Sequence, residues 1–200
     1  SFARISVSQP VLARRLAGAA SIAGGLSLVR CFVIASVVAP VLMAPLAAAL
    51  APGLCAFILA SLVLNRSGGN ARPETELQLS NPFELQSVLR FGALLGVIGF
   101  AAKVLVKFLG PASIVFIALV SGIPDLDAIT LSTAHLAGGA VPVHTAAIAV
   151  LTAAVSNLIT KVVLAYGSGT REYGRLLALV TLVVIVVGGA CFWLYSAVLQ

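Results

Sequence analysis

Charge is what this chain has least of: Asp, Glu, Lys and Arg make up 9% of its 200 residues, against 60% hydrophobic, with a mean hydropathy of +1.14. A soluble domain needs far more charge on its surface, so the composition reads as an all-α, polytopic helical membrane protein. Acidic residues are scarcer still, 6 against 12 basic, for a net charge of +6. Such an excess can mark a nucleic-acid binder. Here aromatics are only 6% and the basic residues fall at the ends of apolar runs, which fits orientation in a bilayer and leaves nucleic acid out as a partner. The three cysteines, Cys31, Cys55 and Cys191, lie inside apolar runs without the paired spacing of a zinc or redox motif, and read as small core residues. No HExxH pattern, phosphate loop or nucleophile–base pairing is present, so neither enzyme activity nor a cofactor is expected.

What is present is a series of long apolar runs. The chain starts at Ser1 and is expected to be a piece of something longer. Arg14 and Arg15 before an apolar run resemble a secretory signal, but the run continues past Arg30 to Pro40, too long for that role. Spans are expected over Leu16 to Ala39, Leu46 to Leu64, Pro82 to Leu109, His144 to Tyr166 and Leu176 to Leu199. The first is rich in small residues (Gly18, Ala19, Ala20, Ser21, Gly24, Gly25), which lets a neighbouring helix approach closely. Residues 65–81 form the clearly aqueous loop, expected to be cytoplasmic. Asn81 as cap, Pro82 at the first helical position and Glu84 three residues after the cap then open the third helix. Glu84 and Arg90 belong to its wet turns, and Lys103 and Lys107 snorkel at its far end. An uncharged turn at 40–45, a Gly-rich turn at 138–142 and a loop with Arg171, Glu172 and Arg175 separate the other spans. Trp193 and Tyr195 read as interfacial aromatics.

One stretch departs from this pattern. Ser121-Gly-Ile-Pro-Asp-Leu-Asp127 puts two carboxylates and a proline between apolar halves of about 12 residues, roughly 18 Å of helix each, too short to cross a core of about 30 Å. Pro124 cannot donate a helical hydrogen bond and biases Ile123 away from the α region. Asp125 is placed to cap a second helix from Leu126, with Asp127 in its first turn at the positive helix end. Backbone broken at membrane depth survives only against protein or a water-filled cavity. Two arrangements stay open: a re-entrant hairpin with its tip at Pro124 to Asp127, giving five spans, or one kinked crossing of about 26 residues, giving six.

At an offset of 131 residues the chain lies over itself, with Ser1 to Ile5 on Ser132 to Leu136 and Arg30 on Lys161, giving repeat halves 1–65 and 132–200 within one membrane domain, 1–200. Loop charges before the first span and after the second are basic. Around the later pair the basic residues lie between the spans, so under the positive-inside rule the two copies are inverted.

Within the membrane the charged residues are Arg30, Asp125, Asp127 and Lys161, with Thr130, Ser132, His135 and Asn157 as polar neighbours. Their charges sum to zero, and the cheapest arrangement pairs them across helices. Carboxylates at a helix break suit a cation or proton, with Arg30 and Lys161 as displaceable counter-ions, so the candidate ion-binding set is Asp125, Asp127, Thr130, Ser132 and Asn157. A metal at Asp125, Asp127 and His135 is disfavoured, because 127 and 135 stand about two helical turns apart.

Asn81-Pro-Phe-Glu-Leu85, Ser121-Gly-x-x-Asp-x-Asp-Ala-Ile-Thr-Leu-Ser132 and Ser156-Asn157-x-x-x-Lys161, together with Arg30 in an apolar helix, resemble the uncharacterised multi-spanning membrane domain that accompanies MgtC/SapB-type N-terminal domains. The resemblance covers nearly the whole chain. It implies a bacterial inner-membrane protein, a larger chain or homo-oligomer, and an MgtC-type domain as a partner in the same chain. Two functions then compete: a small-ion transporter or channel-like domain, and a non-transporting regulatory module whose small-residue helix faces bind another membrane protein.

Overall fold

The computed structural model describes residues 13–66, 96–100 and 104–198. It is helical, with no strand among the described residues. The first helix, α1 (Ala13–Val38), ends where Ala39 leaves the α region, at φ −136° and ψ 87°, ahead of Pro40. A 3-10 turn, Pro40–Leu42, feeds α2 (Met43–Arg66). Pro45 falls in the first turn of α2, where no intrahelical N–H is needed. Then follow α3 (Ser113–Ser121), α4 (Leu126–Leu136), α5 (Val143–Ser168) and α6 (Arg171–Val198). Gly110, at φ +85°, makes the turn before α3, and Ser113 Oγ donates to its carbonyl at 2.7 Å.

Four helical stretches are long and apolar enough to cross a membrane: Ala13–Val38, Pro40–Arg66, Val143–Ser168 and Arg171–Val198, of 26 to 28 residues. At about 1.5 Å per residue each reaches roughly 40 Å. Large apolar side chains on their outer faces, among them Leu26, Val37, Leu59, Val63 and Val163, are exposed, as lipid contact requires. The chain is thus a membrane-embedded helical protein. Of the expected span Pro82 to Leu109, stretches 96–100 and 104–109 are helical. The loop 67–81, the Asn81 cap, Glu84, Arg90 and Lys103 lie outside the described residues.

Contacts at the helix termini fix how the elements run. Arg14 Nε meets Glu172 Oε1 at 3.4 Å, and Ala13, Leu16, Ala17, Ala165, Tyr173 and Leu177 pack as one cluster. The start of α1, the end of α5 and the start of α6 therefore share one end of the bundle. Asn65 packs on Gly18, which brings the end of α2 there too. Arg14, Arg15, Arg66, Arg171 and Arg175 all fall at this end, called here the arginine end. At the other end His144 stacks on Phe192 with ring centroids 5.8 Å apart, joining the start of α5 to the later half of α6. The α2–α6 crossing is close: a Cβ on Gly188 would stand 2.9 Å from the Ala49 carbonyl oxygen.

One loop expectation is corrected. Arg171, Glu172 and Arg175 belong to the first turns of α6 and not to a loop, because the Thr170 hydroxyl accepts the Tyr173 N–H at 3.3 Å and caps the helix there. The link from α5 is only Gly169 and Thr170.

Candidate functional site at the break between α3 and α4

The break forms where Pro124 demands it. Helix α3 stops at Ser121, and Asp125, in an extended conformation, caps α4 by accepting the Asp127 N–H on Oδ1 at 2.9 Å. The turn satisfies part of the freed backbone itself, through Gly122 N–H to the Ala118 carbonyl and Ile123 N–H to the Val120 carbonyl. Two carbonyls are taken by another helix: Ser156 Oγ donates to Leu119 O at 2.6 Å and Asn157 Nδ2 to Gly122 O at 3.2 Å, both from mid-α5. Left bare in lipid, each would cost about 1–3 kcal/mol. Asn157, expected as an ion ligand, uses its amide N–H to cap the broken helix.

Beside this turn, Arg30 of α1 reaches Asp127: Nη2 to Oδ2 is 2.7 Å, with the Asp127 side chain 15% exposed and that of Arg30 63%. The other carboxylate oxygen, Asp127 Oδ1, is buried and has no hydrogen-bond partner among the described residues. One turn on, Thr130 Oγ1 donates to the Leu126 carbonyl at 2.7 Å and lies 3.3 Å from Cys31 Sγ, which makes the thiol the donor between them. Cys31 is fully buried, as its apolar run implied, with this contact as an addition; Cys55, expected in the core, is exposed, and Cys191 is half-buried.

The expected second ion pair does not form. Lys161 Nζ donates to Ser27 Oγ at 2.8 Å, and among the described residues no carboxylate lies within 4 Å of it. Asp125 is engaged as a cap. Ser132 and His135 stand apart from Asp127, on a cavity of about 490 Å³ shared with Gly96, Gly99 and Phe100. His135 is exposed, with Nδ1 2.9 Å from the Leu131 carbonyl. Among the described residues no three His, Cys, Asp or Glu side chains are grouped to hold a metal ion. Of the residues singled out in the sequence, Arg30, Asp127 and Thr130 come together with Asn157 and Asp125 flanking them. Ser27 was missed. Its only signal was a hydroxyl on the Arg30 helix, three residues away.

The family model described as a domain of unknown function, DUF4010, matches residues 1–169. The chain belongs to the DUF4010 family. An uncharacterized protein of Aquifex aeolicus (strain VF5) is 33% identical to this DUF4010 domain over 111 residues, 54% of the chain and 48% of that protein. The match thus spans about half the length of this relative. No solved structure matches the DUF4010 chain. The family description makes no reference to MgtC/SapB-type proteins, so that expected association goes no further than the sequence motifs.

Proposed function

We propose that this domain moves a small cation or proton across a bacterial inner membrane, with Asp127 as the carrying group and Arg30 as its displaceable counter-ion. The observation that carries this reading is the buried Oδ1 of Asp127, without a partner among the described residues, at a helix break, beside an oxygen already held by Arg30. A purely structural ion pair gains nothing from leaving one carboxylate oxygen bare. A proton or a cation that displaces Arg30 would satisfy it. Asp125 has the supporting role of holding the break open.

The hairpin and inverted-repeat readings belong to the same proposal. Arg30 lies beside Asp127 and Val41 beside Gly138, so α1 and α4 advance together over 11 residues and α4 runs from mid-bundle to the end opposite the arginines. Residues 96–100 already lie beside the outer half of α4. Re-entry of α3 from that same end is the economical path. The antiparallel pairing of α1 with α5 and of α2 with α6 is what inverted copies require. The arginine end then faces the cytoplasm. Single cysteines at Ala112, Ala140 and Arg171, all exposed, in a background lacking Cys31, Cys55 and Cys191, test it. Labelling of 112 and 140 but not 171 from outside intact cells is the expected result. Labelling of 112 and 140 from opposite sides would refute re-entry.

For transport itself, Asp127→Asn in proteoliposomes is expected to abolish pH-gradient-driven ion flux while the protein still folds. If Asp127→Asn removes folding and leaves no flux phenotype separable from it, the pair is structural. The domain is then the regulatory membrane module, with an MgtC-type domain or a further copy of itself as the partner to look for.

A further inference from the structure

Lys161, which has no carboxylate of the described residues in contact with it, opens onto a cavity. Ser27 Oγ donates to the Ala23 carbonyl at 3.1 Å and so offers Lys161 a lone pair, which aims the ammonium and occupies one of its three N–H donors. The remaining two have no partner among the described residues. They face a half-open cavity of about 470 Å³ lined by α1, α2, α5 and α6, whose wall includes Phe57, Tyr173, Leu177 and Thr181. That volume lies within the roughly 300–1,000 Å³ usual for small-ligand sites, and an apolar wall with a few convergent polar groups is their usual make-up. An ammonium at this depth is costly unless compensated. Arg30, its counterpart at the 131-residue offset, holds Asp127 in direct contact; Lys161 feels that carboxylate only at longer range, with no carboxylate of the described residues within 4 Å. Ala165, Tyr173 and Leu177 belong to the cluster at the arginine end, so the cavity lies toward five arginines and one glutamate of the described residues, a field that concentrates anions.

We propose that this cavity binds a small oxyanion, a carboxylate or phosphate group, held by Lys161 with the Tyr173 phenol as a second donor. The site is distinct from the Asp127 carrier and stands whether or not the domain transports cations. Its chemistry admits two sources, a soluble anion or the phosphate of an anionic lipid headgroup. The test uses purified protein in nanodiscs, with thermal unfolding read against sodium phosphate and sodium acetate at fixed ionic strength. Zwitterionic phosphatidylcholine discs are compared with discs containing phosphatidylglycerol.

A saturable stabilisation by phosphate or acetate in phosphatidylcholine identifies a soluble ligand. Stabilisation only in phosphatidylglycerol identifies the headgroup. In either case Lys161→Gln is expected to weaken the effect at least ten-fold and Lys161→Arg to retain it. Should Lys161→Gln fail to fold, Tyr173→Phe, which keeps the charge, is expected to weaken binding several-fold. No saturable stabilisation in either disc, or one unchanged by both substitutions, would overturn the proposal.

Discussion

Arg30→Met is expected to destabilise the protein by about 3 kcal/mol, read as a fall in the detergent-solubilised unfolding midpoint, whereas Arg30→Met with Asp127→Leu recovers most of the loss. Removing one member of a buried pair costs about 3–5 kcal/mol because the partner is left charged and unpaired; replacing both with apolar groups is often close to neutral. The lower figure applies because the Arg30 side chain is 63% exposed and only Asp127 is well covered. The two residues touch, so the coupling energy should be a large part of the single-variant loss. If the double variant is no better than Arg30→Met alone, the cost lies in the packing of the arginine stem and not in the charge. The experiment also bears on function. A pair that exists for stability should be replaceable without loss, while a carrier cannot dispense with Asp127.

The fold was legible where one local rule decides it. Pro124 followed by Asp125 and Asp127 dictates a break and a cap, and α4 begins at Leu126 with Asp125 as its cap, as the residues alone imply. Four of the five expected spans appear within a few residues of their apolar runs, because length and hydropathy are properties of the segment itself; most of the fifth, 82–109, lies outside the described residues. Partners were a different matter. Charge neutrality said that Arg30 and Lys161 need compensation, but it could not say that Asp125 would be occupied by its own helix and leave Lys161 with a serine. Nor did it reveal that Ser156 and Asn157 donate to backbone carbonyls of the break. That signal was in the sequence: a proline break frees carbonyls, and an adjacent hydroxyl and amide in an otherwise apolar helix are donors with no other employment at that depth. Which carbonyls they meet depends on how α3 lies on α5, a packing outcome.

Gly122 shows how tightly that packing is set, and Gly122→Ala is expected to be among the most damaging small substitutions in the chain. Its backbone is in the α region, at φ −66° and ψ −20°, so the requirement for glycine is not conformational. It is one of space: a Cβ there would stand 2.5 Å from the Ala153 carbonyl oxygen and 2.8 Å from Ala153 Cα. Both are backbone atoms of α5, so trimming Ala153 to glycine cannot relieve the clash, and α3 has to move away. Doing so lengthens the bonds from Ser156 to Leu119 O and from Asn157 to Gly122 O, uncapping the break while Asp127 loses its position against Arg30. Overpacking of about 1–3 kcal/mol, with about 1–3 kcal/mol more for each carbonyl left bare, places the loss at about 3 kcal/mol or above. Gly189→Ala is the matched control. It lies inside α6 with nothing within 4 Å of an added Cβ, and should raise stability by about 0.5–1 kcal/mol through the helix preference for alanine. Equal midpoints for Gly122→Ala and wild type would mean that α3 is not seated on α5 at this point. The caps from Ser156 and Asn157, and with them the mid-membrane placement of Asp127, would then have to be abandoned.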